Sequence, residues 1–155
     1  MTPKNRKEFA KRINKAKEMN IFVPEKLNPE SKIRGIYGFF AVSEGKEECF
    51  YIGKSNNIFM RMFGKGSTHI YGYERGVRKE QLQVKMDNYL KEGKKIEVRV
   101  LEEVPFMGDS FAQDANRLAL AELKILVQYQ DNGFCLGQLS EAVKAKRESE
   151  IWKRR

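Results

Sequence analysis

The amino-acid sequence predicts an α/β fold, with a small central three-stranded mixed sheet flanked by helices and helical extensions at the N- and C-termini. Two segments rich in aromatic and β-branched residues, 33–42 and 48–52, are separated by a short turn at Gly45, as in an antiparallel hairpin. A third strand-like segment, 96–104, lies between amphipathic segments with helical periodicity. The predicted order is therefore helix, strand, strand, short helix, helix, strand, helix and a charged tail.

The first helix is predicted over residues 4–19, which carry apolar side chains at helical spacing among many lysines and arginines. Pro24 and Pro29 then predict a connecting loop over 21–31. The helix is interpreted as packing on the domain with its basic side in water, and the alternative is a basic arm that contacts phosphate.

Beyond the hairpin, Ser55 is in position to cap a short helix over 57–63. The following residues, 64–76, are predicted to form an irregular basic loop, and 77–92 a helix that ends before Gly93.

The longest helix is predicted over 111–130 and ends in a turn at 131–133, after which the tail is charged and helix-prone. These boundaries predict three segments: a basic N-terminal helix and linker (1–31), a core (32–135) and a charged helical tail (136–155).

The net charge points to a polyanionic partner. Lysine and arginine number 30 against 21 aspartate and glutamate, a formal charge of +9 in 155 residues. Nucleic acid is the first expectation and an acidic membrane the second, while a merely basic protein is the alternative.

The cysteine and histidine content argues against a structural zinc site. Cys49 and Cys135 are not in a C-x-x-C spacing, and His69 is the only histidine. The sequence shows neither a signal peptide nor an apolar segment of membrane-spanning length, so the expected protein is soluble and cytoplasmic, without a membrane partner.

Two tripeptides mark the candidate site: residues 35–37, Gly-Ile-Tyr, and residues 51–53, Tyr-Ile-Gly. In an antiparallel hairpin these segments lie across from each other, so Tyr37 and Tyr51 are predicted to be neighbours. The two glycines permit close approach of a neighbouring backbone or of a phosphate.

Charged residues further along the chain extend this site. Arg61, in the short helix, offers paired donors to a phosphate whose charge grows in the transition state. Glu122 lies on the apolar side of the long helix, where a carboxylate is costly to bury unless it is paired or binds a metal. Lys54 is expected to hold a neighbouring tyrosine partly ionised.

In order and spacing, the two tripeptides, Arg61 and Glu122 resemble the GIY-YIG nuclease family, over about residues 33–132. The resemblance implies a three-stranded sheet flanked by helices and a metal-dependent endonuclease that hydrolyses phosphodiester bonds. It further implies that Glu122 binds one divalent metal, normally Mg²⁺ with Mn²⁺ as a substitute, and that Arg61 stabilises the phosphate. Tyr37 then acts as general base or orients the attacking water, and Tyr51 positions the substrate.

The sequence departs from the family pattern at two residues. Family members often carry a histidine four residues after the arginine, but His69 is eight residues after Arg61 (69 minus 61). His69 is nevertheless a candidate to take the proton onward. Asn132 follows Glu122 by ten residues (132 minus 122), where the family often has an asparagine about a dozen residues on. It is a candidate for nucleic-acid contact or a simple helix-ending turn residue.

The predicted loop after Arg61 mixes basic and aromatic residues, which suits a surface that follows a nucleic-acid backbone. Its candidate contacts are Lys65, Arg75 and Arg78, with Tyr71 and Tyr73 interleaved. The predicted partner is double-stranded DNA, with RNA left as an alternative. The short chain favours a compact restriction-like or phage-type nuclease that acts as a homo-oligomer. A catalytically inert nucleic-acid-binding module and a basic scaffold protein are the competing interpretations.

Overall fold

A computed structural model of residues 1–155 contains one four-stranded mixed sheet and six helices. The strands are β1 (Ile21–Phe22), β2 (Gly35–Ser43), β3 (Lys46–Ser55) and β4 (Lys95–Glu103), and their order across the sheet is β1-β4-β2-β3. The helices are α1 (Pro3–Glu18), α2 (Ile58–Phe63), α3 (His69–Glu74), α4 (Gln81–Lys91), α5 (Phe111–Asp131) and α6 (Ala145–Lys153).

The predicted α/β class and the β2–β3 hairpin are confirmed, but the predicted three-stranded sheet is wrong by one strand. Strand β1 lies in the segment predicted as a loop and pairs in parallel with β4, with Ile21 opposite Ile96. The backbone N–H of Ile96 also donates to the carbonyl of Asn20 at 3.0 Å. Two residues are too few to show a strand periodicity, and the buried Ile21 is held in place by tertiary packing.

The region predicted as an irregular loop contains the short helix α3. Thr68 lies at its N-cap position, and the Thr68 hydroxyl donates to the carbonyl of Gly64 at 2.8 Å. Ile70 and Tyr73 are buried in the core, so packing stabilises a helix that Gly72 alone would weaken.

The helix predicted after β3 is present, but Ser55 does not cap it. Ser55 is the last residue of β3, and Asn57 is the N-cap of α2, where its side chain accepts a hydrogen bond from the backbone of Met60 at 3.1 Å.

The sheet separates two hydrophobic cores. Tyr37 and Phe39 face the core formed with α1 to α4, whereas Ile36 and Phe40 face the core formed with α5. This alternation follows from the period of two in a strand. The side chains of Tyr37 and Ile36, neighbours in the first tripeptide, therefore lie on opposite faces of the sheet, and Ile36 packs against α5.

The outer edge of β3 is covered by chain that follows α5. The side-chain amide of Gln138 accepts from the backbone N–H of Ile52 at 3.1 Å and donates to its carbonyl at 2.5 Å. Nearby, the free thiols of Cys135 and Cys49 lie 3.9 Å apart. Pairing with Gln138 satisfies backbone groups that an edge strand leaves open.

The predicted C-terminal tail does contain a helix, α6, but none of its residues is buried. None of the six helices has the length and apolar content that crossing a membrane requires.

Candidate active site

The register of the hairpin explains both tripeptide glycines. Tyr37 pairs with Gly53 across the strands, and a Cβ atom on Gly53 would collide with the hydroxyl group of Tyr37. A Cβ atom on Gly35 would instead collide with the carbonyl oxygen of Glu102 in β4. Glycine is therefore required at both positions by close neighbours.

The two tyrosine side chains are neighbours, as the hairpin predicted. Tyr51 pairs with Phe39, and the ring centroids of Tyr37 and Tyr51 lie 6.3 Å apart. Tyr37 is 1% exposed, whereas Tyr51 is only half-buried and lines a cleft. Of the two phenols, Tyr51 is therefore the one with the larger surface towards solvent.

A chain of hydrogen bonds runs from Tyr37 to His69 and Glu80. The hydroxyl oxygen of Tyr37 lies 2.9 Å from Nε2 of His69, and Nδ1 of His69 lies 3.0 Å from a carboxylate oxygen of Glu80. A neutral imidazole satisfies both contacts when Tyr37 donates to Nε2 and the Nδ1 proton is donated to Glu80. In this tautomer the hydroxyl proton of Tyr37 points at Nε2 of His69.

His69 is neutral at physiological pH despite its carboxylate partner. Burial of the imidazole, and then the nearby positive charge of Arg61, lower the pKa of His69 to about 3. The Glu80 carboxylate favours the charged imidazole, but these two effects outweigh it. Its place in α3, with 1% of its surface exposed, corrects the prediction that it belongs to an irregular loop.

The phenols are not ionised in the free protein. Burial, followed by the neighbouring Tyr51, raises the pKa of Tyr37, and burial also raises the pKa of Tyr51. Arg61 is the cation that opposes both shifts. The prediction that Lys54 holds a tyrosine partly ionised is therefore wrong, because desolvation of the phenols outweighs the nearby positive charge.

Arg61 lies at the end of α2, beside these groups, and also lines the cleft. Its guanidinium donates to the carbonyl of Ser67 at 3.0 Å and forms no ion pair with a carboxylate. A guanidinium held by a neutral acceptor keeps its full charge for an anion.

Glu122 approaches from α5, on the other side of the sheet edge. It is 8% exposed, and burial raises its pKa while Lys54, through its charge and a backbone hydrogen bond, lowers it. Its charge also acts on Tyr37 and Tyr51, so the carboxylate belongs to the same electrostatic site. The ammonium of Lys54 is itself paired with the exposed Glu141 at 3.0 Å.

A cleft beside Tyr51, Arg61 and His69 has a volume of about 300 Å³, and Glu122 is not among the residues that line it. It lies between β3, α2, α3 and the start of α4, with the covering segment after α5 on its rim. Its lining residues are Phe50, Tyr51, Arg61, His69, Glu80, Gln81, Leu82, Lys85, Gly137 and Gln138.

The basic side chains predicted to contact nucleic acid near α3 differ in how strongly they are bound to other groups of the protein. Lys65 and Arg75 are exposed, and Arg75 donates to the carbonyl of Gly66 at 2.8 Å. Arg78 is held within the protein, because its guanidinium lies over the ring of Tyr73 at 3.5 Å and pairs with Asp87 at 3.4 Å. Lys65 and Arg75 are therefore the better candidates for phosphate contact.

Asn132 is not brought to the cleft. It lies at the C-cap of α5, is exposed, and its side-chain amide donates to the carbonyl of Gln128 at 3.0 Å. This geometry favours the helix-ending role over the role in nucleic-acid contact.

Sequence reasoning missed Glu80 and Gln138. Glu80 immediately precedes α4, and its backbone N–H donates to the side chain of Gln83 at 3.4 Å. This Glu-x-x-Gln spacing could have set the helix start at Gln81. No local pattern in the sequence indicates that Gln138 pairs with β3, because that contact depends on how the chain returns after α5.

Comparison with known proteins adds no relative: no family model, no curated protein and no solved structure matches this chain.

Proposed function

We propose that this chain is a GIY-YIG-type endonuclease that hydrolyses phosphodiester bonds in DNA with the help of a divalent metal. The observation that carries the proposal is the Tyr37–His69–Glu80 chain beside the Arg61 guanidinium, in a cleft of a protein with a formal charge of +9. A proton acceptor next to an unpaired cation is what water attack on a phosphodiester requires.

In the proposed reaction, the oxygen of a water molecule attacks phosphorus and its proton passes to the Tyr37 oxygen. The Tyr37 proton moves at the same time to Nε2 of His69, and the Glu80 carboxylate stabilises the imidazolium that forms. The bond from phosphorus to the leaving oxygen breaks, and that oxygen takes up a proton from solvent. Because burial raises the pKa of Tyr37 and lowers the pKa of His69 to about 3, this transfer depends on the negative charges of the bound phosphate and of Glu80, which both favour the imidazolium.

Arg61 supplies the positive charge for the phosphate in this proposal. The two non-bridging oxygens of the phosphate become more negative as water attacks, and a guanidinium that has no carboxylate partner can donate hydrogen bonds to them. Tyr51, which lines the same cleft, positions the substrate. Removal of a comparable transition-state donor typically costs about 100- to 1,000-fold in rate.

The residues at Glu122 fit a magnesium ion better than a structural metal. No group of three potential metal-ligating side chains occurs in the protein, and Glu122 supplies a single, largely buried carboxylate. Mg²⁺ commonly binds through one or two carboxylates while phosphate oxygens and water complete its shell. Bound there, Mg²⁺ or Mn²⁺ would neutralise phosphate charge and stabilise the leaving oxygen.

Plasmid cleavage tests this proposal. Supercoiled DNA is incubated with Mg²⁺ and either the wild-type protein, Glu122→Gln, or the wild type with EDTA. We expect nicking or linearisation by the wild type and a loss of about 100-fold or more in the other two reactions. Glu148→Gln, a change at an exposed position on α6, is the matched control and should retain wild-type activity.

The same assay decides between enzyme and inert binding module. If the folded wild type binds DNA in a gel-shift experiment but cleaves neither DNA nor RNA with Mg²⁺ or Mn²⁺, the enzyme proposal is wrong. Sedimentation of the complex shows whether the proposed nuclease acts as a homo-oligomer.

A further inference from the structure

A second pocket, distinct from the catalytic cleft, lies where the start of α5 meets the beginning of β2 and the end of β3. Its volume is about 440 Å³, within the range of small-molecule sites. Its lining includes Arg34, Lys54, Asn56, Phe106, Phe111 and Asp114.

Two aromatic side chains of this pocket are unusually exposed. Phe111 is 90% exposed and Phe106 is 63% exposed, and the adjacent Met107 is 64% exposed. Phe106 lies over the guanidinium of Arg34, whose carbon atom is 4.2 Å from the ring centroid. Phe111 stacks on no aromatic ring or guanidinium of the protein, and such an exposed ring is suited to stacking on another flat ring.

The floor of the pocket carries a buried positive charge that no carboxylate neutralises. Arg34 is 5% exposed, and its three hydrogen bonds go to neutral oxygens: the Asn56 side chain at 2.9 Å and the carbonyls of Val104 at 2.7 Å and Asp114 at 2.8 Å. The Asp114 carboxylate is committed elsewhere, to backbone N–H groups and to Arg117. A buried cation without a carboxylate partner favours an anionic ligand, because charges attract more strongly where the dielectric constant is low.

Lys54 connects this pocket to the proposed catalytic site. Its side chain lines the pocket, while its backbone is hydrogen-bonded to Glu122 and its charge lowers the pKa of that carboxylate. The ammonium is paired only with Glu141, which is 84% exposed, and so solvated a pair is easily exchanged for a phosphate. A ligand here would therefore lie near Glu122, the proposed metal ligand.

We infer that this pocket holds one unpaired nucleotide of the substrate, with its base stacked on the exposed phenylalanines and its phosphate facing Lys54 and Arg34. The inference rests on the proposed nuclease function and refines its substrate class. The expected substrate is duplex DNA that carries a bulged, flapped or single-stranded nucleotide beside the cleavage point, in preference to a fully paired duplex.

The test measures binding without cleavage, using the full chain in EDTA. The probe is a DNA duplex with a single bulged 2-aminopurine, compared with the same duplex fully paired. We expect the fluorescence of the bulged 2-aminopurine to change when the protein binds. We also expect the bulged duplex to bind more tightly than the fully paired duplex. Phe111→Ala should weaken binding of the bulged probe by about fivefold or more and leave the paired duplex unchanged. Trp152→Ala, on α6 and 61% exposed, is the matched control and should change neither.

Failure of this inference is distinguishable from failure of the proposed function. Equal affinity for both duplexes, or an unchanged bulged-probe affinity in Phe111→Ala, overturns the nucleotide pocket even if the plasmid assay shows cleavage. If Phe111→Ala instead converts an oligomer of the free protein to monomers, the pocket is an interface between copies and the inference is also wrong. Absence of any DNA binding by the folded protein overturns both proposals.

Discussion

Tyr37 is a residue whose role in packing and proposed role in catalysis can be separated by one atom. Its ring fills the space above Gly53, and its hydroxyl oxygen lies 2.9 Å from Nε2 of His69. Because the ring is 1% exposed, replacing the whole side chain would damage the core, whereas removing the hydroxyl oxygen would not.

We predict that Tyr37→Phe folds and binds DNA but cleaves it about 100- to 10,000-fold more slowly, the range expected for loss of a general base. The free energy of unfolding should fall by only about 1 kcal/mol, the usual cost of one hydrogen bond. Tyr89→Phe, a half-buried tyrosine packed on Phe50, is the control and should keep its rate. Single-turnover cleavage and urea unfolding measure the two effects, and a wild-type rate in Tyr37→Phe would refute the base assignment.

His69 makes stability dependent on pH in a defined direction. Its pKa is about 3 in the fold, below its ordinary value of 6.5. The unfolded chain therefore binds a proton below pH 6.5 that the folded protein refuses until about pH 3. This contribution to stability is complete above pH 6.5 and is lost as the pH falls towards 3.

Glu74 acts in the opposite direction, because burial raises its pKa from 4.5 to about 7. Its contribution to the free energy of unfolding is fully present below pH 4.5 and is lost as the pH rises through about 7. One of its carboxylate oxygens is buried without a hydrogen-bond partner.

We predict that in His69→Gln the free energy of unfolding falls less than in the wild type as the pH is lowered from 6.5 to 4. In Glu74→Gln it should fall less than in the wild type as the pH is raised from 4.5 to 7. Urea titrations at closely spaced pH values measure both slopes. His69 is the only histidine in the chain, so no second imidazole can mask its effect. If the free energy of unfolding of His69→Gln falls as steeply below pH 6.5 as that of the wild type, the imidazole is not held neutral by burial.

At the scale of elements, the hairpin depends on the fit between Tyr37 and Gly53. We predict that Gly53→Ala destabilises the protein by about 1–3 kcal/mol, because the added methyl group must displace the Tyr37 ring or the β3 backbone. Cleavage should fall as well, since the Tyr37 hydroxyl moves away from His69.

The matched control is Gly137→Ala, where an added Cβ meets no atom within 4 Å and the backbone is not in the left-handed region. It should leave the free energy of unfolding unchanged or raise it slightly. Equal stability of Gly53→Ala and the wild type in urea would show that the close contact is not a constraint.

The same elements show what could be predicted from sequence. The helices α1 and α5 and the β2–β3 hairpin were predictable because apolar residues recur at the period of each element. The two-residue β1 and the short helix α3 were not, since neither is long enough to show a period and both are held by buried side chains. Of the site, Tyr37 and Tyr51 followed from the hairpin, whereas Glu80 and Gln138 join it only through tertiary packing.

For the whole molecule, the excess of basic residues determines how DNA binding responds to salt. Each neutralised phosphate releases condensed counterions, so the logarithm of the affinity falls linearly with the logarithm of the salt concentration. With a formal charge of +9, binding should weaken steeply as NaCl is raised. The local arrangement of the cations then decides which of them contribute.

We predict that Lys65→Ala and Arg75→Ala each reduce the magnitude of this salt slope by about one, because both side chains are exposed and face no carboxylate. Arg78→Ala should change the slope less and lower stability more, since Arg78 is committed to Tyr73 and Asp87. Lys146→Ala, on α6, serves as the charge-matched control. Fluorescence anisotropy of labelled DNA across a NaCl series measures the slopes. If all four variants shift the slope equally, the surface around α3 has no special part in binding, and net charge alone accounts for the affinity.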